Sequence, residues 1–529
     1  MPRRRYLRQL AKYYIPCGDR AELLRQAHPT PNRERLVIVR HWHQPLRKKK
    51  NTPWVSVIET LAVFQLESRE VISYSFEKIN VQADGENLST SKESIMIPKN
   101  TGQSSRRQFL QNGAAIAGTA VVPNAATTPP AVHAAGSDVL KVGLVGCGGR
   151  GTGAASQALH ADPHVKLVAV GDAFYVRVEE CLRNLKNDPA IADRVAVDAE
   201  HVFVGLDAYQ SVIDNVDVVL LCSPPGFRPK HLRAAVSAGC HIFTEKPMAT
   251  DSTGVRSVVK SVELSKEKNL SIVAGFCWRY SSPKRALFEK IHSGAIGDVR
   301  AVHGTYLTSS VKPMPPANIR PDNISDLEWM VRNWYNFVWL SGDGLVEQGC
   351  HTADWVAWTM QDKPPVSCTS VGGRQIPSEG GDIFDHIEVN YVWENGARGF
   401  LAHRQMSGCY GENSLYVLGA QGNASLTRGS RLSDLKDQET WKYKGPNPDM
   451  YQVEHDKFFA SIRAGNPIND GDRMVNSTLM AIMGRMAAYS GDEITWEMAM
   501  NSQENLAPEI TDGWNSPVTF RDIPLPGIS

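Results

Sequence analysis

From residue 138 onward the chain alternates two patterns: short β-branched apolar runs stopped by glycine or proline, and stretches with apolar positions three and four apart. The first pattern reads as strands buried on both faces and the second as amphipathic helices. Val142, Leu144 and Val145 form the first run, which stops at Gly146-Cys147-Gly148-Gly149-Arg150-Gly151. A small-residue helical pattern follows in Ala154, Ala155, Ala158 and Leu159. The run HVKLVAVGDAF is a second strand ending at Asp172, followed by a helix and polar connection over 174–200 and a short strand over 201–204. A strand over 217–222, a helix over 231–238 stopped by Gly239, and a strand over 240–244 continue the alternation. SIVAGFCWRYSSP then closes it near Trp278-Arg279-Tyr280. Strand and helix in strict alternation predict an α/β fold, a doubly wound parallel sheet over 138–278.

Beyond that point the pattern changes. A helix over 283–293 and the turn Gly294-Ala295-Ile296-Gly297 lead to a strand over 299–307. Residues 311–340, rich in Pro and Trp, read as a long loop whose Trp329, Trp334 and Trp339 either stack on a ligand ring or form a core beneath it. DHIEVNYVWENG, RGFLAHRQ and SLYVLGAQGNASL alternate with period two, giving hairpins that turn at Glu394-Asn395-Gly396 and Gln421-Gly422-Asn423. Helices over 451–463 and 473–490 and a Pro-rich tail, 506–529, complete the chain. Residues 279–505 are thus expected to form a second, α+β domain, with the tail wrapping the surface or a neighbouring subunit.

The first 134 residues differ in character. They hold 20 Lys+Arg against 10 Asp+Glu, which leaves 37 against 46 in the remainder, so the folded part is acidic and nucleic acid is not an expected partner. Arg106-Arg107-Gln108-Phe109-Leu110 precedes a mildly apolar stretch over 114–122 and a Pro/Ala/Thr run ending Val132-His133-Ala134. That order resembles a twin-arginine export signal over 96–134 and implies a periplasmic or secreted protein. The apolar stretch is too short for a membrane span. An export signal belongs at a chain's beginning, so Met96 is the expected start, with residues 1–95 a non-native or disordered extension whose apolar stretch 53–65 lacks a partner segment. Eight of the nine cysteines follow residue 134, yet Cys147, Cys222 and Cys240 fall in the glycine loop or beside strands and read as small apolar fillers. No Cys/His spacing suggests a metal.

Two stretches carry candidate chemistry. Gly146, Gly148 and Gly151 form G-x-G-x-x-G between a strand and a helix, the context in which backbone N–H groups cradle a pyrophosphate. Asp172 lies 21 residues beyond Gly151, where an acidic side chain accepts ribose hydroxyls, which favours NAD over NADP. Gly149, Arg150, Ser223 and Pro224 join this expected cofactor site, the last two at the carboxyl edge of the sheet. Glu245-Lys246-Pro247 stands at the same edge, where proline restrains Lys246 beside the expected nicotinamide. In the second stretch, SGDGLVEQGCHTADWVAW, Glu347, His351 and Asp354 fall at i, i+4 and i+7 of a helical pattern. A carboxylate one turn from an imidazole orients it and favours its charged form.

GCGGRG, the acidic strand end at Asp172, CSPP with His231, and EKPMA in this order resemble the Gfo/Idh/MocA family, relatives of glucose–fructose oxidoreductase and inositol dehydrogenase, over residues 138–505. The resemblance implies an open, mostly antiparallel sheet in the second domain whose face lines the substrate cleft. It implies that Lys246 touches nicotinamide and substrate hydroxyl, with Glu245 beside it in the cofactor site. The family places Asp, His and Asp where this chain has Glu347, His351 and Asp354, so direct contact of the longer Glu347 with substrate is open. The expected activity is hydride transfer between NAD and a hydroxyl-bearing carbon of a sugar, cyclitol or polyol. His351 exchanges the proton, Lys246 polarises the oxygen, Glu347 orients His351, and Arg279 and Asp354 bind substrate. A glycosidase that oxidises its substrate transiently with tightly held NAD, and a non-catalytic sugar-binding protein, are the alternatives. His386 and His403 are expected to be structural, and the open sheet face invites a dimer or tetramer.

Overall fold

The computed structural model describes residues 138–376 and 380–528, and the backbone of three earlier strands. Those strands, β1 (Arg35–Val39), β2 (Ile58–Glu67) and β3 (Val71–Ile79), form an antiparallel sheet in the order β1-β2-β3. The apolar stretch expected to lack a partner therefore pairs along both edges of β2. The twin-arginine segment and Met96 lie outside the described residues.

Residues 140–274 build the expected parallel sheet. The elements are β4 (Leu140–Val145), α1 (Gly149–Ala161), β5 (Val165–Asp172), α2 (Tyr175–Lys186), β6 (Val202–Val204), α3 (Ala208–Ile213) and β7 (Val218–Leu221). After them come α4 (Arg228–Ala238), β8 (His241–Thr244), α5 (Ser252–Glu267) and β9 (Ile272–Ala274). All six strands run parallel in the order β6-β5-β4-β7-β8-β9. Every residue of β7 and β9 is buried, as expected of strands covered on both faces. The order reverses between β4 and β7, opening a crevice at their carboxyl ends where such sheets bind ligands.

The second sheet has nine strands. It uses α6 (Ser282–His292), β10 (Val299–Thr308), α7 (Asp326–Arg332), α8 (Val338–Ser341), α9 (Cys350–Thr359), β11 (Ser367–Gly373), β12 (His386–Val392) and β13 (Arg398–Gln405). It continues through β14 (Glu412–Gly419), β15 (Asn423–Leu426), β16 (Ser430–Ser433), β17 (Glu439–Lys442), α10 (Met450–Arg463), α11 (Gly471–Ser490), β18 (Ile494–Thr495) and α12 (Trp496–Asn501). The order is β17-β16-β15-β14-β10-β13-β12-β11-β18, and only β10 and β13 run parallel, so the sheet is mixed and mostly antiparallel. α9 and α11 pack on it, while Val371, Tyr416 and Leu418 stand exposed.

One expectation needs correction. Residues 311–340 are not a bare loop: they contain α7 and α8, because Trp329, Met330, Trp339 and Leu340 bury one another in a separate apolar cluster. Trp329 and Trp339 are core, and Trp334 packs half-buried against the same cluster. Residues 279–505 also send one helix back to the first sheet. Helix α10 returns to the parallel sheet, where Phe458, Phe459 and Ile462 share a core with Leu140, Val142 and Leu144, and Asn469 bridges to Ile272 beside β9. The tail packs on its own chain: Trp514 stacks on Phe174 at 5.4 Å between ring centroids.

Candidate active site at the carboxyl edge of the parallel sheet

The glycine loop is shaped by two close approaches. Gly146 has φ +95°, and a Cβ there would lie 2.6 Å from the Cys222 backbone. A Cβ on Gly151 would lie 1.8 Å from the Gly146 carbonyl oxygen, so only glycine lets α1 seat against the strand end. In contrast a Cβ on Gly148 or Gly149 meets nothing within 4 Å, so the loop faces open space. Helix α1 begins there with no side-chain cap on its first N–H groups. Open space over uncapped amides fits a dinucleotide pyrophosphate. Asp172 ends β5 with its carboxylate accepting from Cys147 N at 2.7 Å and Phe174 N at 2.9 Å. Burial raises its pKa, and those backbone N–H groups oppose the rise. The same carboxylate that would meet ribose therefore braces the loop.

Arg150 is turned along α1 rather than over the loop. Its Nε pairs with Glu245 Oε1 at 2.5 Å and its Nη1 donates to Gln157 at 3.0 Å. The guanidinium lies 5.0 Å from the Tyr451 ring centroid. Burial works against its charge and Glu245 restores it. Glu245 also accepts from the Lys246 backbone N–H at 3.3 Å. Arg150 and Glu245 thus tie the glycine loop to the end of β8. Ser223 Oγ lies 3.0 Å from His231 Nδ1, and burial beside Arg228 takes His231 down to about 3, holding it neutral. Pro224 caps the short turn that opens into α4.

Lys246 and Glu347 come together from residues 101 apart. Lys246 Nζ donates to the Glu347 backbone carbonyl and to Glu347 Oε1 at 3.0 Å. Burial disfavours the Lys246 charge, but the carboxylate outweighs it and leaves the pKa above its ordinary value. Glu347 Oε2 accepts from Gln348 Nε2 at 2.7 Å, and Gln348 Oε1 accepts from the Tyr306 hydroxyl at 2.5 Å. Glu347 therefore braces Lys246, not His351 as expected. The cause is local: Leu345–Gly349 form a π turn before α9, and its wider spacing breaks the i, i+4 alignment.

His351 sits half-buried at the start of α9 with its Nδ1 buried and unpartnered. Trp278 lies against it at 4.7 Å and stacks on Trp355 at 3.9 Å. Burial, then Lys246 and Lys284, push its pKa well below the ordinary value. The imidazole is neutral, opposite to the expectation of a carboxylate-supported charge.

Arg279 and Asp354 face each other instead of a cleft. Arg279 Nε lies 2.9 Å from Asp354 Oδ2, its Nη1 donates to Asp362 at 2.9 Å, and Ser477 Oγ donates to Asp354 at 2.8 Å. Both are under 5% exposed, which makes them a structural ion pair joining α6's entry to α9 and α11. His386 pairs with Asp385 at 2.7 Å. His403 is buried beneath the π turn, where a Cβ on Gly344 would lie 2.7 Å from its Cε1. The sequence reading missed Tyr306, Gln348 and Trp278. Trp278 follows a strand end and Gln348 adjoins Glu347, but no periodicity marks Tyr306. Among the described residues the eight cysteines are free thiols, six of them buried outside this edge or within the core, and no cluster of metal-ligand type occurs.

Comparisons with known proteins fit this geometry. Residues 140–276 match the oxidoreductase family with an NAD-binding Rossmann fold, and residues 285–425 match the GFO/IDH/MocA C-terminal domain, together more than half of the chain. An inositol 2-dehydrogenase of Rhizobium meliloti is 25% identical over 347 residues, 63% of this chain and 92% of that protein. A levoglucosan dehydrogenase, solved with NADH and levoglucosan, shares the fold at TM-score 0.54 and 19% identity, over 68% of this chain and 99% of its own. An aldose–aldose oxidoreductase of Caulobacter crescentus shares it at TM-score 0.53 and 18% identity, over the same shares. The chain belongs to the Gfo/Idh/MocA family and is an NAD-dependent oxidoreductase.

Proposed function

We propose that the protein oxidises or reduces a hydroxyl-bearing carbon of a sugar, cyclitol or related polyol, and that Lys246, Glu347 and His351 carry the proton chemistry. The observation behind this reading is the Lys246–Glu347 pair at the carboxyl edge, 3.0 Å apart, with the neutral His351 one helix turn on. Related proteins are named as dehydrogenases of inositol and levoglucosan. Gly146, Gly148, Gly149, Gly151 and Asp172 would hold NAD, with Ser223 and Pro224 at the same edge. Bound there, NAD accepts or supplies the hydride. Lys246 has three N–H donors, of which two go to Glu347, and the third is left for the substrate oxygen. His351, neutral at physiological pH, takes the hydroxyl proton during oxidation and returns it during reduction. Arg150 and Glu245 position Lys246 through its backbone.

We further propose export by the twin-arginine route, supported by residues 104–134, and self-association through the exposed second-sheet face bearing Val371, Tyr416 and Leu418. Cell fractionation and light scattering check these two statements.

The principal experiment uses protein purified without added nucleotide, with its cofactor identified by mass after denaturation. Inositols, hexoses, anhydrosugars and aryl glycosides are then assayed for NADH formation, with His351→Ala alongside. The expected result is NADH from free polyols or sugars and a roughly 10²–10⁴-fold loss in His351→Ala. Aryl release without net NADH would overturn the dehydrogenase reading in favour of a glycosidase.

A further inference from the structure

The apolar cluster built around α7 and α8 is seated on the cofactor edge of the parallel sheet, and the end of the chain joins it there. Ala173 and Phe174 after β5, Leu206 after β6 and Phe227 after β7 all pack against this cluster. Each follows the carboxyl end of its strand, the edge at which doubly wound sheets bind ligands. The glycine loop lies at the end of β4, and β5 and β6 are the next strands on one side. Their ends therefore lie toward the adenosine half of a dinucleotide whose pyrophosphate rests on α1, the half whose ribose Asp172 would meet.

The tail crosses this edge between two anchors. At one end Leu506 is buried and its N–H donates to Asp251, just before α5, at 2.8 Å. At the other the Gly527 N–H donates to the Ser490 carbonyl at 2.9 Å. Between them Ile510, Trp514 and Val518 pack on the cluster. Ser516 holds the turn, its hydroxyl accepting from the N–H groups of Thr511 at 3.0 Å and Asp512 at 2.9 Å and donating to the Gly513 carbonyl at 3.0 Å. That turn sets Trp514 on Phe174, with ring centroids 5.4 Å apart and planes 19° apart. Arg332, at the end of α7, adds its guanidinium 4.4 Å from the centroid of the same Phe174 ring, and Glu328 holds it at 2.8 Å. Phe174 is in turn tied to the ribose acceptor, its N–H donating to Asp172 at 2.9 Å. Phe174, Leu206 and Trp514 are only half-buried, so aromatic and apolar surface stays open beside Asp172. A purine, with two flat π faces, suits such a surface. The tail lies beyond residue 425, where the family match ends.

We infer that Trp514, with Phe174 and Leu206, walls the adenine half of the NAD site, and that the tail, 506–529, is a strap that slows release of the cofactor. This rests on NAD occupying the glycine loop and Asp172.

The test uses the full-length protein, stripped of nucleotide and then reloaded. Calorimetry gives dissociation constants for NAD and for nicotinamide mononucleotide, which lacks the adenosine half, in the unaltered protein, Trp514→Ala and Trp514→Phe. Release of bound NAD is followed by exchange against isotopically labelled NAD, with unfolding midpoints as the control for folding. Trp514→Leu, which keeps apolar bulk without the flat ring, stands in if the alanine variant does not fold. The expected result is NAD binding weakened, and release quickened, by roughly tenfold in Trp514→Ala. The mononucleotide constant should hold, and Trp514→Phe should stay close to the unaltered protein. Unchanged NAD affinity and release in Trp514→Ala overturn the strap, as does an equal loss for NAD and the mononucleotide. An unaltered protein that binds neither nucleotide overturns the cofactor site itself, and the strap with it.

Discussion

Lys246 is a buried cation whose charge is upheld chiefly by the Glu347 carboxylate. Replacing Glu347 by Gln leaves burial as the dominant influence, so the Lys246 pKa drops from above its ordinary value to below it. The basic limb of the kcat/KM profile should then move to lower pH, and kcat/KM should fall by roughly 10²-fold or more. A profile unchanged at high pH would show that Lys246 does not need Glu347. Arg279 and Asp354 differ in kind. Removing one partner of a buried ion pair costs about 3–5 kcal/mol, and Asp362 stays with Arg279, so Asp354→Asn should lower stability by about 3 kcal/mol in denaturant titration while the substrate KM holds. A raised KM at unchanged stability would restore the substrate role. Lys246, Glu347 and His351 were legible in sequence because charged residues beside proline and glycine at strand and helix ends stand out. Their partners were not, since the residues that neutralise a charge are chosen by distance in space. Asp354 looked like a ligand because helical spacing shows a face and not what covers it.

At the level of elements, the strand–turn–helix at β4 and α1 was readable to within a few residues because steric rules act locally. Gly151→Ala tests that reading: the added carbon meets the Gly146 carbonyl, which is backbone and cannot move aside. A loss of at least about 1–3 kcal/mol is expected, together with at least tenfold weaker NAD binding by fluorescence titration. Wild-type binding in the variant would mean that α1 does not seat as described. The π turn over Leu345–Gly349 was not readable. A single widened turn keeps the same residues and the same apolar content, yet it swings Glu347 from His351 toward Lys246. Gly344 and Gly349 lie against His403, so the sheet beneath supports the turn, and that support comes from a strand more than fifty residues later.

At the scale of the whole molecule, burial of neutral histidines sets the response to acid. His231, His403 and His455 each fall to about 3, chiefly through burial. A group whose folded pKa lies below its unfolded value near 6.5 binds fewer protons when folded, so its contribution is intact above pH 6.5 and is lost as pH falls toward 3. His455 packs on Phe243 at 4.4 Å with its Nε2 unpartnered. His455→Phe should therefore match wild type near pH 7.5 but gain roughly 2–3 kcal/mol on it at pH 4.5, two units below the unfolded pKa. Equal acid sensitivity in thermal melts would show that His455 titrates normally. The parallel sheet, the glycine loop, the Asp172 strand end and the Lys246 and His351 positions were all determined by the sequence alone, because alternation, turn chemistry and helix starts are short-range. Tertiary structure decided the rest: the return of α10 to the first sheet, the cluster that folds 311–340 into helices, the closure of Arg279 onto Asp354, and the pairing of Lys246 with Glu347. Each joins residues far apart in the chain through apolar burial and charge neutralisation, which depend on proximity in space and leave no periodic trace along the sequence.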